Sequence, residues 1–349
     1  MKAETATLRE IFDQPRVWQD CLAALQGLDV GRLVKQPRNY SWIFIGCGTS
    51  YYLAQAAAAS FTELTGLSAR AVPASEFLFY PNLSISPDAL GFFPVLISRS
   101  GQTSEVLRVA EVLRQRGIEF LAVTCDGNEL AQLTERTLAL PVVEESTVMT
   151  SSFTAMLMAL QYIAAAIAKR DDFISALHEL PGEVEGLLGM YAPQIEDFAR
   201  HSFQCAAFLG QGPLYPIAAE TSLKVMESSS TFAQCFHTLE FRHGPKSIVS
   251  EDVLVGALLS DAGYAEESAV LIEMKELGAR TLAVANRITP AVRSSADLAI
   301  ELALKVPELA RLVVYLVWGQ LLGSYVGLRK GLNPDSPRNL TRVVTLAGD

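Results

Sequence analysis

Two kinds of residue in this sequence have the types and spacing for chemistry. The first are small hydroxyl-bearing loops, Gly46-Cys47-Gly48-Thr49-Ser50 and Ser98-Arg99-Ser100-Gly101-Gln102-Thr103. Each follows an apolar run and opens a helical stretch, so each can offer backbone N–H groups, hydroxyls and a helix N-terminus to an anion. A third hydroxyl-rich turn, Thr147 to Thr154, precedes a long apolar stretch. The second kind are proton carriers. Glu220, Lys224 and Glu227 recur at spacings of four and three, which puts them on one helix face. His243 sits in a His-Gly-Pro turn and can exchange a proton near neutral pH. Lys224 is expected to hold Glu227 ionised or to pair with Glu220.

The elements that position these residues come as a repeat. The run Tyr40 to Ile45 meets Gly46-x-Gly48 and an Ala-rich helix; Cys205 to Leu209 meets Gly210-x-Gly212 and a second helix, 164 residues on. Glu76-Phe77 and Glu240-Phe241 keep that offset. The strand before Ser98-Arg-Ser-Gly matches the strand before Ser260-Asp-Ala-Gly, and Leu121-Ala-Val matches Leu282-Ala-Val, each after a helix ending in glycine. Strands alternating with helices imply βαβ units and a parallel sheet in each half. The expected fold class is α/β, a tandem duplication of doubly wound parallel-sheet domains of flavodoxin-like type. The expected boundaries are 1–37 for an N-terminal helical segment, 38–180 for a first domain that binds phosphate, and 198–345 for a second that carries the glutamate and the histidine. The second half has fewer hydroxyls after its first strand, and Asp261 stands where an anion would go, so phosphate is expected in the first half.

Composition narrows the function classes. A formal charge of −10 supplies no broad basic field for nucleic acid or anionic membrane. Five widely spaced cysteines without a CxxC pair suggest reduced thiols, neither a disulfide framework nor a zinc site. Neither metal nor organic cofactor is expected: no His/carboxylate cluster has ligand spacing, and Tyr51 stands where a dinucleotide fingerprint needs its third glycine. The N-terminus lacks the pattern of a signal peptide. Leu309 to Leu328 is apolar but carries Arg311, Gln320 and Ser324, which suits a buried helix better than a bilayer span. Ala155 to Ala168 also reads as a core helix. A cytoplasmic protein is expected.

The strings GCGTSYY, SRSGQTSE, AAETSLKVMESS and EFRHGP together resemble the sugar isomerase (SIS) domain family over roughly residues 38 to 345. Within it they are similar to the isomerase half of glucosamine-6-phosphate synthase and to the tagatose-6-phosphate ketose/aldose isomerase and amino-sugar-phosphate deaminase groups. The resemblance implies that the sugar phosphate is held by Ser50, Ser98, Ser100 and Thr103, with Cys47, Gly48, Thr49, Arg99, Ser151 and Lys224 lining the substrate site. It makes Glu227 and His243 the catalytic pair. It further implies a homodimer in which His243 reaches the neighbouring subunit's site.

The chemistry agrees with those roles. Moving a proton between C1 and C2 of an open-chain sugar phosphate needs one base that removes and returns it, which a partly desolvated carboxylate suits. Ring opening and protonation of the leaving group need a second acid/base, His243. The resemblance breaks at Arg338-Asn-Leu-Thr-Arg342, where the synthase has a sequence ending in a Schiff-base lysine; an arginine stays protonated and cannot take that role. With no glutaminase domain ahead of the first strand, glutamine-dependent synthesis is disfavoured. Isomerisation, with deamination of an amino-sugar 6-phosphate, is the expected activity. The alternatives are a deglycase of a phosphosugar-amine conjugate and a non-catalytic sugar-phosphate-binding regulator.

Overall fold

The computed structural model describes residues 5–34, 40–85, 91–125 and 128–346. The expected boundary at 38 lies outside these residues. Two compact units are present, neither a continuous stretch of chain. One comprises residues 16–144, 151–178 and 341–349; the other comprises 1–15, 145–150 and 179–340.

The first unit holds a five-stranded parallel sheet of β1 (Ser41–Gly46), β2 (Ala69–Pro73), β3 (Phe92–Ile97), β4 (Leu121–Thr124) and β5 (Thr137–Ala139), in the order β2-β1-β3-β4-β5. The second holds β6 (Cys205–Gly210), β7 (Phe232–His237), β8 (Val253–Leu258), β9 (Arg280–Ala285) and β10 (Leu298–Glu301), in the order β10-β9-β8-β6-β7, again all parallel. Counted from its own first strand, the second sheet has the same order as the first. This is the doubly wound order expected from the repeat, and in each sheet the chain reverses direction between the first and third strands, where such folds place ligands.

Strand pleating assigns the faces. In the second sheet Ala207, Leu209, Val255, Ala257, Ala283 and Ala285 pack with Phe241 and with Val270, Leu271 and Met274 of the Tyr264–Glu276 helix. The alternate residues Phe208, Gly256, Leu258, Leu282 and Val284 face Thr221, Tyr315 and Trp318, from the Tyr215–Ser229 and Glu308–Arg329 helices on the other side. The first sheet follows the same plan. Ile43, Ile45, Leu96 and Ala122 meet the Ser104–Gln115 helix, whereas Trp42 packs on Phe61 of the Thr49–Thr65 helix, with ring centroids 4.3 Å apart.

Each first strand ends in a turn that only glycine permits. A Cβ at Gly46 would stand 2.5 Å from the Ser50 carbonyl oxygen, and one at Gly210 would stand 2.4 Å from that of Leu214. The repeated glycine is therefore a steric requirement of the fold before it is anything else.

The two apolar helices are core elements. Ser151–Ala168, four residues longer than the sequence reading, and Glu308–Arg329 are long and apolar enough to cross a bilayer, but 78% and 89% of their apolar windows are buried within the fold. Several of their polar side chains bond within the fold. Gln161 donates to Ser60 at 3.2 Å, Gln320 donates to the Thr150 carbonyl at 3.1 Å and accepts from Gln14 at 2.9 Å, and Arg311 pairs with Asp261. The N-terminal Ala6–Phe12 helix packs on the second unit through Asp335, whose carboxylate takes the Ala6 and Thr7 amides at 2.9 and 2.7 Å.

Gly319, Gly323 and Gly327 form a stripe along the Glu308–Arg329 helix, and added Cβ atoms there would meet Thr221, Lys224 and Ser228 of the Tyr215–Ser229 helix. At Gly327 the nearest atom is the Ser228 carbonyl oxygen, 2.0 Å away, and backbone cannot yield. Gly327→Ala should lower the thermal unfolding midpoint by an amount corresponding to about 1–3 kcal/mol. Gly182→Ala, in the Asp171–Phe198 helix with open space around it, should leave the midpoint unchanged or raise it.

Candidate active site

In the first unit the hydroxyl loops follow β1 and β3, side by side at the point where the sheet reverses direction. Thr49, Ser50, Ser98 and Arg99 are buried, Cys47, Ser100 and Thr103 are half-buried, and Gly48 is exposed with φ +53°. The β3 loop is internally braced. The Ser98 hydroxyl lies 3.1 Å from that of Thr103 and accepts the Gly101 amide at 3.1 Å, while the Ser100 hydroxyl accepts the Gln102 amide at 3.2 Å. Asn128 holds the loop from the next strand's turn, donating to the Ser100 carbonyl and to the Thr124 hydroxyl. Burial and the nearby Glu105 carboxylate, opposed by a backbone hydrogen bond from Ala74, push the Cys47 thiol up to about 12, which favours its protonated form.

Arg99 is buried in the loop and bound to protein. Its guanidinium pairs with Glu144 at 3.2 Å and donates to the Arg342 carbonyl at 3.2 Å. Glu144 is itself buried and also accepts the Ser151 hydroxyl, the Ser152 amide and the Ser152 hydroxyl at 3.1, 2.8 and 2.7 Å. Ser151 thus meets the loop network at the start of its apolar helix. Arg342 donates to the Glu144 carbonyl at 2.6 Å, so the residue standing in place of the synthase lysine is an anchor of the chain's C-terminal segment. Glu144 escaped the sequence reading; its one signal was an acid just ahead of a hydroxyl-rich helix start, where the helix dipole favours negative charge.

In the second unit the Glu-Lys-Glu face is buried. Lys224 is 1% exposed and lies 3.2 Å from the Glu220 carboxylate and 2.5 Å from that of Glu227; it pairs with both. Burial alone would drive the Lys224 ammonium toward neutrality, but the Glu220 and Glu227 carboxylates outweigh it and its pKa lies above the ordinary lysine value. Glu220 is fully buried, and only Glu227, with 18% of its side chain exposed, reaches solvent.

His243 follows the short Glu240–Arg242 turn and is exposed, with its amide bonded to the Glu240 carbonyl at 2.9 Å. The preceding Phe241 packs with the Tyr264–Glu276 helix, on the sheet face opposite the helix that carries Glu227. Among the described residues no hydrogen bond or ion pair joins Glu227 to His243. Within the unit, His237 at the end of β7 stacks on Tyr215, ring centroids 3.9 Å apart and 9° from parallel, a pairing no sequence motif announced. Among the described residues no group of three His, Cys, Asp or Glu side chains has the arrangement to hold a metal ion.

The SIS domain family model matches residues 38–166, the span that contains both hydroxyl loops and most of the apolar helix after them. Residues 38–166 are a SIS domain. The chain as a whole has the α/β SIS fold. It is similar to the tagatose-6-phosphate ketose/aldose isomerase of Escherichia coli, with TM-score 0.85 and 23% identity over 96% of both chains. A glucosamine-6-phosphate deaminase of Thermotoga maritima aligns with TM-score 0.75 and 27% identity over 98% of this chain and 100% of its own. Among curated relatives, the isomerizing glutamine–fructose-6-phosphate aminotransferase of Haemophilus influenzae is 30% identical over 86% of this chain and 51% of its own length. That of Vibrio cholerae is 27% identical over 97% and 58%. The chain therefore spans little more than half the length of the curated relatives it matches.

Proposed function

We propose that this SIS protein is an aldose/ketose isomerase of a phosphorylated sugar which, given glucosamine- or galactosamine-6-phosphate, also releases ammonia and forms the ketose phosphate. The observation that carries the reading is the buried Glu220–Lys224–Glu227 row, in which a charged lysine holds one carboxylate at the edge of solvent. In the open-chain amino sugar, Glu227 takes the C2 proton and returns it to C1. This leaves an imine at C2, which water hydrolyses to the ketose with loss of ammonia. With a simple sugar the same transfer gives isomerisation. His243 opens the ring and protonates the leaving nitrogen or oxygen.

The phosphate sits on Ser50, Ser98, Ser100 and Thr103, with Cys47, Gly48 and Thr49 supplying the turn between the first strand and its helix. Arg99, Ser151 and Lys224 act through the networks that hold the loops and the base. No protein Schiff base is required, which fits an Arg342 engaged with Glu144. The exposure of His243, and the packing of Phe241 on the sheet face away from the helix of Glu227, support a homodimer in which each site takes His243 from the partner copy. Similarity to a glucosamine-6-phosphate deaminase over the full length of both chains supports the deaminating branch.

Incubating the purified protein with each amino-sugar phosphate should yield ammonia and ketose phosphate together, with solvent deuterium entering at the transferred carbon position. Absence of ammonia, of ketose and of proton exchange with both substrates would refute the proposal.

A further inference from the structure

The loops after β3 and β8 share one local design. The Ser98 hydroxyl accepts the amide of Gly101 at 3.1 Å, and the Ser260 hydroxyl accepts that of Gly263 at 2.9 Å, at the same spacing of three. Both loops open a helix at the reversal point of their sheet. They differ in what occupies them. The Ser98 amide closes onto the Val123 carbonyl at 3.1 Å as the Leu259 amide does onto that of Val284 at 2.9 Å, so by strand register Ser260 stands one place further into its loop; the Ser98 hydroxyl meets Thr103. In the second half, the Ser260 amide and hydroxyl both donate to the Glu267 carboxylate at 2.7 Å, and the next amide, Asp261, donates to the Glu308 carboxylate.

Glu105 and Glu267 each lie seven residues beyond the loop serine; Glu105, the second residue of its helix, is half-buried near Cys47, whereas Glu267, the fourth of its own, is 1% exposed and closes onto Ser260. Gly263 makes room for it: a Cβ there would stand 2.4 Å from the Glu267 Oε1. Asp261, the acid the sequence suggested as the obstacle, points instead to Arg311.

We infer that the β8 loop is a phosphate loop permanently filled by the protein's own carboxylates, with Glu267 as the internal anion and Glu308 beside it. Glu267 is then a specificity determinant: it restricts each chain to one phosphosugar and confines that ligand to the first half. This rests on the reading that the first half's loops hold phosphate, and the experiment separates the two.

Inorganic phosphate is the probe, counted by equilibrium dialysis against the full chain. Wild type should bind one phosphate per chain, lost in Ser98→Ala/Ser100→Ala. Glu267→Ala/Glu308→Gln should bind a second, which disappears when Ser260→Ala is added. A count equal to wild type in the double variant, with a cooperative thermal transition retained, overturns the inference. Glu267→Ser, which leaves a small hydroxyl in the space, replaces Glu267→Ala should the latter not fold. A wild type that binds none beside a variant that binds one would refute the first-half assignment and uphold this one.

Discussion

Glu227→Gln is expected to lower turnover of the phosphosugar by about 10²–10⁴-fold while leaving substrate binding within a few-fold of wild type. The amide keeps the size of the carboxylate and can still contact Lys224, so the fold and the hydroxyl loops should be undisturbed. What it lacks is the ability to take a proton from carbon. Exchange of the substrate C2 proton with deuterated solvent reports that step directly and should fall in parallel with turnover. Full activity in the amide variant, with exchange unchanged, would remove Glu227 from the chemistry. Lys224→Met is less diagnostic, because it would leave two carboxylates facing each other in a buried site.

The largest effect on stability is expected at Glu144. Its side chain is 1% exposed and faces the Arg99 guanidinium, itself only 6% exposed. Glu144→Ala leaves that cation buried without its carboxylate and also strips the Ser151 and Ser152 hydroxyls and the Ser152 amide of their acceptor. Breaking a buried pair in this way costs about 3–5 kcal/mol. Against the 5–15 kcal/mol of a typical native protein, the unfolding midpoint in urea should fall steeply. Arg99→Met/Glu144→Leu should recover much of the loss, since an apolar pair carries no unpaired charge. A Glu144→Ala protein as stable as wild type would mean that Arg99 relaxes to solvent.

The repeat made the fold legible. Strand runs, the glycine turns after β1 and β6, and the helices ending at Gly117 and Gly278 recur at nearly constant offset, and a duplicated pattern needs only one interpretation. The hydroxyl loops were legible for the same reason. What the sequence concealed depended on pairings across distance or across a sheet. Arg99 and Glu144 are 45 residues apart, and no periodicity links them. Spacing put Glu220, Lys224 and Glu227 on one face, but whether that face met water or protein depended on the tertiary packing that buries Glu220 and Lys224. That Phe241, two residues before His243, packs on the sheet face away from the helix of Glu227 is visible only once the sheet faces are known. In the β8 loop the acid that closes onto the serine is Glu267, seven residues on, and not the adjacent Asp261, which pairs with Arg311.

The glycine stripe that seats the Glu308–Arg329 helix against the Tyr215–Ser229 helix has an evolutionary corollary. Gly323 lies against the Lys224 carbonyl itself, 2.8 Å from where its Cβ would be, so the two backbones meet at the residue that holds Glu227. Inactivating mutations should therefore collect at Gly319, Gly323 and Gly327, about a hundred residues downstream of the acid they disable. A lineage acquiring new substrates would have to keep that seam and vary the loops after the strands instead.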